Sequence, residues 1–278
     1  MRSWINKFNP DCIIICWDGN NGSVRKREIY KDYKAHRKPF FNMKLATDKY
    51  ETDDNSNRLW QLQKLVEILA FLPVCQLYVD NCEADDIIFY VCEKFANIQK
   101  IIITSDKDMY QLINKNTNVY SLSNKTLINE DTLIENYSVS PQNFALYKSI
   151  LGDKSDNIDG VRGVGPKTFT RNITIAKEKR ALTLNEVKLF LNTKNSKLYN
   201  TLIDNDKILN RNLDLIKLNY DHISLNQITK LDSTIKSYKP IINVFGFRKY
   251  FITSRIIPTY IESILRACKQ LNRNLDNE

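Results

Sequence analysis

The chain has 278 residues, 42% of them hydrophobic and 26% charged, and 41 Lys and Arg against 32 Asp and Glu give a formal net charge of +9. That length fits one large domain or two small ones around a buried core, and the balance excludes a disordered or membrane-embedded chain. A basic surplus invites a polyanionic partner, and no run reaches the roughly 18 apolar residues of a membrane span.

The apolar stretch at residues 12–17 is too short for a secretory signal and ends at Asp18 with no small-residue cleavage site. Cys12, Cys16, Cys75, Cys82, Cys92 and Cys268 form no CxxC pair and have no His pair nearby. That argues against structural zinc and for reduced, buried thiols in a cytosolic protein.

Residues 12–17 (CIIICW) read as a buried strand that stops at the turn Asp18-Gly19. Residues 23–49 hold nine basic residues against three acidic ones, with Tyr30, Tyr33, Phe40 and Phe41 interleaved. The spacing then predicts an amphipathic helix over 58–71 and a second strand over 74–79. A helix follows over 83–95, with Ala84, Ile87, Ile88, Val91 and Phe95 on one stripe. A third strand covers 100–104 and a short fourth 117–123. This alternation predicts a parallel α/β sheet. From about residue 130 the pattern turns helical, with a helix over 141–151, another opening at Pro166, and polar helices over 185–216. Four of the seven glycines crowd between Gly152 and Gly165.

The acids gather where strands end. Asp18 follows the first strand, Glu83, Asp85 and Asp86 follow the second, and Asp106 and Asp108 follow the third. In an open parallel sheet those ends share one edge, where ligands bind. Asp153 and Asp156, at the glycine-rich turn, add two more carboxylates. Like charges held close raise each other's pKa unless a cation intervenes. All-oxygen donors select hard cations such as Mg²⁺ or Mn²⁺. Two such ions about 4 Å apart activate a water and stabilise the leaving oxygen of a phosphodiester. Singly, each acid has a plainer role as a helix cap or turn residue, and residues 23–49 could be a solvated face. Only the joint placement on one edge points to metal.

Residues 159–168 (DGVRGVGPKT) have the form of the hairpin in a helix–hairpin–helix. Glycines there let successive backbone N–H groups face a phosphate where the next helix begins. Arg162 and Lys167 add charge, and residues 161–180 hold six basic residues against one acidic. Such a motif grips duplex backbone without reading sequence. The plainer alternative is an ordinary helix–helix turn.

Taken together, these motifs resemble the 5′-nuclease (flap-endonuclease) family, of the bacteriophage 5′-3′ exonuclease type and the 5′-nuclease domain of bacterial DNA polymerase I. The matching stretches are IIICWDG (13–19), YKAHR (33–37), EADD (83–86), ITSDKDMYQLI (103–113), LGDKSDNIDGVRGVGPKT (151–168) and RNLDLIKL (211–218). VFGFRKYF (244–251) fits more weakly, and the resemblance runs from residue 11 to about 255.

The resemblance implies an α/β fold: a PIN-like parallel sheet with flanking helices, a helical arch, and a C-terminal all-helical helix–hairpin–helix (H3TH) region. It places a nuclease core over residues 1–129, with the basic arch at about 23–58, and a helical DNA-binding region over 130–278, with the H3TH at about 141–176. It implies metal-dependent hydrolysis of phosphodiesters at 5′ ends, 5′ flaps and junctions of single- and double-stranded DNA, in replication or repair. By position, Asp18, Glu83, Asp85, Asp86, Asp106, Asp108, Asp153 and Asp156 match carboxylates that bind two divalent ions. Lys34 and Arg37 match basic residues that steady the scissile phosphate, and residues from about 38 to 58 match the arch past which the single strand runs. Gly160, Arg162, Gly163, Gly165, Lys167 and Thr168 match the hairpin on duplex DNA, where K⁺ is often bound. The implied partner is DNA, with no membrane, for a monomer in the cytoplasm (the host's, for a phage protein).

Set against that family, the chain starts after the family's first strand and the metal-site Asp that ends it. Residues 2–10 are too short and polar to replace a buried strand. The expectation is a filled gap or a rearranged sheet. The missing piece would be truncated, supplied by a separate N-terminal peptide, or lost from a reduced version with weak activity. The competing function is accordingly a catalytically weakened, structure-specific DNA-binding protein. A PIN-like ribonuclease is a third reading, disfavoured by the glycine hairpin.

Overall fold

The computed structural model describes residues 1–35, 54–254 and 260–271, side chains at 54–58 excepted. In chain order the first elements are α1 (Arg2–Phe8), β1 (Ile14–Cys16), α2 (Val24–Ile29), α3 (Asp54–Leu69), β2 (Cys75–Leu77), α4 (Ala84–Lys94), β3 (Lys100–Thr104), β4 (Thr117–Ser121) and β5 (Thr126–Ile128). There follow α5 (Glu130–Tyr137), α6 (Phe144–Leu151), β6 (Gly152–Asp153), β7 (Ile158–Asp159), α7 (Pro166–Asn172), α8 (Leu184–Thr193), α9 (Leu198–Asp204), α10 (Asp206–Ile216), α11 (Leu225–Ser237), α12 (Val244–Thr253) and α13 (Ile261–Cys268). They form two compact units, one from Met1–Gly22, Pro39–Ile87 and Ile223–Glu278, the other from Ser23–Lys38 and Ile88–His222.

In the first unit β1 and β2 pair in parallel, Ile14 opposite Cys75 and Cys16 opposite Leu77. Ile15 of β1 and its neighbours Ile13 and Trp17 pack against a core built from Ile5, Leu69, Leu72, Val74, Phe247, Leu265, Cys268 and Leu271. Residues 2–8, for which the sequence predicts no element, form α1, which ends at Asn9 in the left-handed region (φ 45°) and contributes Ile5 to this core. Phe247 is 1% exposed, and truncating a side chain so buried costs about 3–5 kcal/mol. The weak motif at 244–251 therefore reads as packing.

In the second unit β3 and β4 pair in parallel, Lys100 opposite Thr117 and Thr104 opposite Ser121. β5 then returns antiparallel, Val119 opposite Ile128, after a turn in which Lys125 takes φ 55°. The single parallel sheet expected from the sequence is thus divided. Among the described residues the ladders are β1–β2, β3–β4–β5 and a two-residue ribbon β6–β7. The three-residue strands β1 and β2 pair with each other, and β5 occupies the edge of β4.

α6 is nearly all apolar and buries Phe144, Ala145, Leu146, Tyr147 and Ile150. Its aromatic rings stack edge-on with neighbours, Tyr147 against Phe169 at 4.9 Å between centroids. Asn212 of α10 is fully buried, and its Nδ2 donates to the carbonyls of Ser149 (3.0 Å) and Asp159 (2.8 Å). This bond pair binds α6, β7 and α10 together and gives the 211–218 motif a structural job. All six cysteines are free thiols. Among the described residues no helix is long and apolar enough to cross a membrane.

Candidate metal centre and hairpin

Three of the predicted acids meet. One carboxylate oxygen each from Asp108, Asp153 and Asp156 lies within 4.8 Å of the others. Local structure explains the placement. Asp106 caps the 3-10 turn Lys107–Leu112 by accepting from the Asp108 N–H at 2.8 Å, and this turns Asp108 inward. Asp153 ends β6, and its side chain accepts from Ser155 N–H at 2.8 Å to cap the turn Lys154–Asp156. Asn157 then takes the left-handed conformation (φ 61°), which Asn tolerates better than most residues, and the chain returns along β7. D-K-S-D-N is thus a tight turn that presents two aspartates to the same side.

Lys148 of α6 enters this group. Its ammonium donates to Asp108 and, at 2.5 Å, to Asp153. Burial pushes the Asp108 carboxyl up to about 6, with Lys148 opposing and Asp106 adding to the rise. For Asp153 burial works in the same direction, but Lys148 and the Ser155 bonds outweigh it and hold the pKa low. Burial likewise opposes the Lys148 charge, and the two carboxylates overcome it and hold that pKa high. Lys148 was not among the sequence-predicted residues. Its signal was a lone charged residue in the apolar run FALYKSIL, five positions before Asp153.

Tyr33 is 1% exposed and donates its hydroxyl to Asp156 Oδ2 at 3.2 Å. Lys34 takes φ 54° and gives its backbone N–H to the Asp156 carbonyl at 2.9 Å. The Nζ groups of Lys26 and Lys34 lie 5.6 and 4.9 Å from the Tyr33 ring centre. Gln111 donates to the carbonyls of Asp108 and Ile216 and accepts from Leu218 N–H, tying the 103–113 and 211–218 motifs together. Arg37 lies outside the described residues, as does the expected arch up to residue 53.

Of the other predicted acids, Asp18, Glu83, Asp85 and Asp86 belong to the first unit and Asp106 to the second. Asp18 is exposed and accepts from the Ala84 N–H at 2.9 Å, capping α4. Glu83 and Asp86 are 4% and 3% exposed, and Asp85 is half-buried. Asp86 accepts from the Glu83 N–H at 3.4 Å. Asp106 is exposed at its cap position.

At the predicted hairpin, backbone geometry accounts for two of the glycines. A Cβ on Gly160 would fall 2.1 Å from the backbone of Leu151, so only glycine lets this loop lie against the end of α6. Gly163 takes φ 82° with open space around it. Gly165 caps α7, Pro166 opens it, and Arg162 and Lys167 are exposed while Thr168 is half-buried.

Residues 1–138 match the family model described as the 5′-3′ exonuclease, N-terminal resolvase-like domain. The chain is 32% identical over 168 residues to a 5′-3′ exonuclease of Aquifex aeolicus, a match covering 60% of the chain and about half (53%) of that relative. It is 29% identical over 258 residues to a 5′-3′ exonuclease of Buchnera aphidicola subsp. Schizaphis graminum, covering 90% of the chain and 84% of the relative. Its fold is similar to a solved structure of the T5 5′-exonuclease with divalent zinc ions bound, at TM-score 0.58 and 18% identity over 91% of this chain and 87% of that one. The family model and the two relatives together support the 5′-nuclease family for this chain.

Proposed function

We propose that the chain is a divalent-metal-dependent 5′ nuclease, acting as a 5′-3′ exonuclease and flap endonuclease on DNA with 5′ flaps or single-/double-strand junctions. The observation that carries this reading is the group of Asp108, Asp153 and Asp156, the first two paired with Lys148. Three carboxylates against one ammonium leave a deficit of two charges, which a divalent cation matches. The donors are all carboxylate oxygen, the chemistry that Mg²⁺ and Mn²⁺ prefer. Asp108, Asp153 and Asp156 would hold such an ion, with Asp106 beside them. Asp18, Glu83, Asp85 and Asp86 are the family-matched acids for a second. When bound, the ions supply an activated water and charge stabilisation at the leaving oxygen.

The chain's own residues do the positioning. Lys148 fixes Asp108 and Asp153, and the Tyr33 hydroxyl fixes Asp156. Lys34, anchored through its backbone to Asp156, presents an ammonium to the scissile phosphate, with Arg37 matched by position to the same task. Gly160, Arg162, Gly163, Gly165, Lys167 and Thr168 hold duplex backbone, with K⁺ as the companion ion. In this reading residues 1–129 form the nuclease core and 130–278 the helical DNA-binding region, with the H3TH at about 141–176. A protein that only held DNA would gain nothing from three converging acids, because they repel the phosphates.

A labelled 5′-flap duplex with Mg²⁺ tests the reading. Wild type is expected to cut at the junction, and Asp108→Asn, compared at equal DNA occupancy, to lose the cut product. If wild type is no faster than the variant, the enzymatic reading is lost.

A further inference from the structure

A groove of about 720 Å³ opens beside the hairpin, between α7 and the turn that joins α8 to α9. Arg162 and Arg171 line it on the hairpin side, Lys194 and Lys197 on the turn side, and no acidic residue is in its lining. All four cations are exposed. Among the described residues none of them forms an ion pair, in contrast to other basic residues of the same unit. Lys179 pairs with Glu130 and Asp131, Arg180 with Glu178 and Glu186, and Lys188 with Asp206. Pairing therefore sorts these basic residues into a neutralised set and an open set of four on one concave surface. Ser196 donates to Asn172 Oδ1 at 3.1 Å. This bond fastens the α8–α9 turn to the end of α7 and holds the two cationic walls at one spacing.

We propose that this groove is a second phosphate track for duplex DNA, continuous with the hairpin, with Lys194 and Lys197 as its outer rail. The inference rests on the reading of the hairpin as a duplex grip. Charge selects a polyanion, and exposed guanidinium and ammonium groups are common phosphate-backbone ligands. Double-stranded DNA is the occupant because a single strand is held by aromatic faces on which bases stack. The groove has one aromatic residue, Phe190, and the Lys194 Nζ lies 5.8 Å from its ring centre. Arg162, Gly163 and Thr168 belong to both hairpin and groove, so a strand on the hairpin runs into the groove without a break.

The test is binding of the full chain to a fluorescent duplex and to a single strand of equal length, over a range of KCl concentrations. For Lys194→Ala/Lys197→Ala the log–log salt slope on duplex is expected to become shallower by about 1.8, roughly 0.9 per lost phosphate contact. The single strand should lose less, and Lys194→Arg/Lys197→Arg should keep the wild-type slope. An unchanged slope in the alanine pair overturns the proposal, as does an equal loss on single-stranded DNA. Lys167→Ala separates the two readings. If it weakens duplex binding while the alanine pair does not, the groove alone is refuted. If neither variant weakens duplex binding, the hairpin reading falls as well.

Discussion

At the carboxylate centre the Lys148 side chain is 12% exposed and bonds two acids, whereas beside the hairpin Arg162, Arg171, Lys194 and Lys197 stand exposed in a groove with no acid in its lining. Both regions belong to one compact unit, and they use positive charge for different ends. A buried ammonium among carboxylates sits in a low-dielectric site, where attraction is strong and each partner depends on the other. An exposed cation with no internal partner adds little to the fold. Its charge is left for an external anion and is screened by salt. In the proposed reading the same residue type serves the chemistry in one place and the grip in the other, and the degree of internal pairing tells them apart.

That contrast is most easily broken at Lys148. In Lys148→Met, Asp108 and Asp153 lose their counter-charge, and removing one partner of a buried ion pair costs about 3–5 kcal/mol. Thermal unfolding in EDTA should show a marked loss of stability, with a larger recovery on adding Mg²⁺ than wild type shows. Equal stability of variant and wild type in EDTA would show that the pairing contributes nothing. In the exposed region the expected effect is smaller and of another kind. Lys167→Ala should leave the melting temperature near wild type and lower the salt slope of duplex binding by about 0.9. A normal slope would remove Lys167 from the grip.

The neutralised surface pairs give the mildest effect. A bond from the Thr183 backbone, then Arg180, holds the Glu186 carboxyl down to about 2, from 4.5. Because the folded pKa is depressed, the stabilisation is present above about 4.5 and is lost as pH falls through 2. Glu186→Gln should flatten the acid limb of urea stability across that window and leave DNA binding unchanged. An acid limb identical to wild type would refute the pairing.

Much of this was legible in the sequence, and the omissions have a common cause. The runs CIIICW and KIIIT marked β1 and β3, and the spacing in D-K-S-D-N and the G-V-R-G-V-G-P-K-T stretch marked the acidic turn and the hairpin. Strand partners were not legible: nothing in three-residue strands such as Ile14–Cys16 states which edge they join, because register and pairing are tertiary properties. β5 was missed, although Asn124-Lys125 between short apolar stretches is a turn signal. Lys148, Tyr33, Gln111 and Asn212 were missed because each acts through a partner between 5 and 123 residues away in sequence. The basic count over 161–180 overstated the grip as well, since Lys179 and Arg180 are spent on internal acids.

The most direct test of the division between cutting and holding is Asp153→Asn on a 5′-flap duplex, with single-turnover cleavage and equilibrium binding measured on the same preparation in Mg²⁺. The predicted result is a loss of cleavage of roughly 10²-fold or more, the scale of removing one preorganised electrostatic group, with DNA affinity equal to or tighter than wild type because one negative charge has gone. Cleavage at the wild-type rate, or a collapse of DNA affinity in a folded variant, would contradict the assignment of the carboxylate centre to chemistry and of the hairpin to the grip.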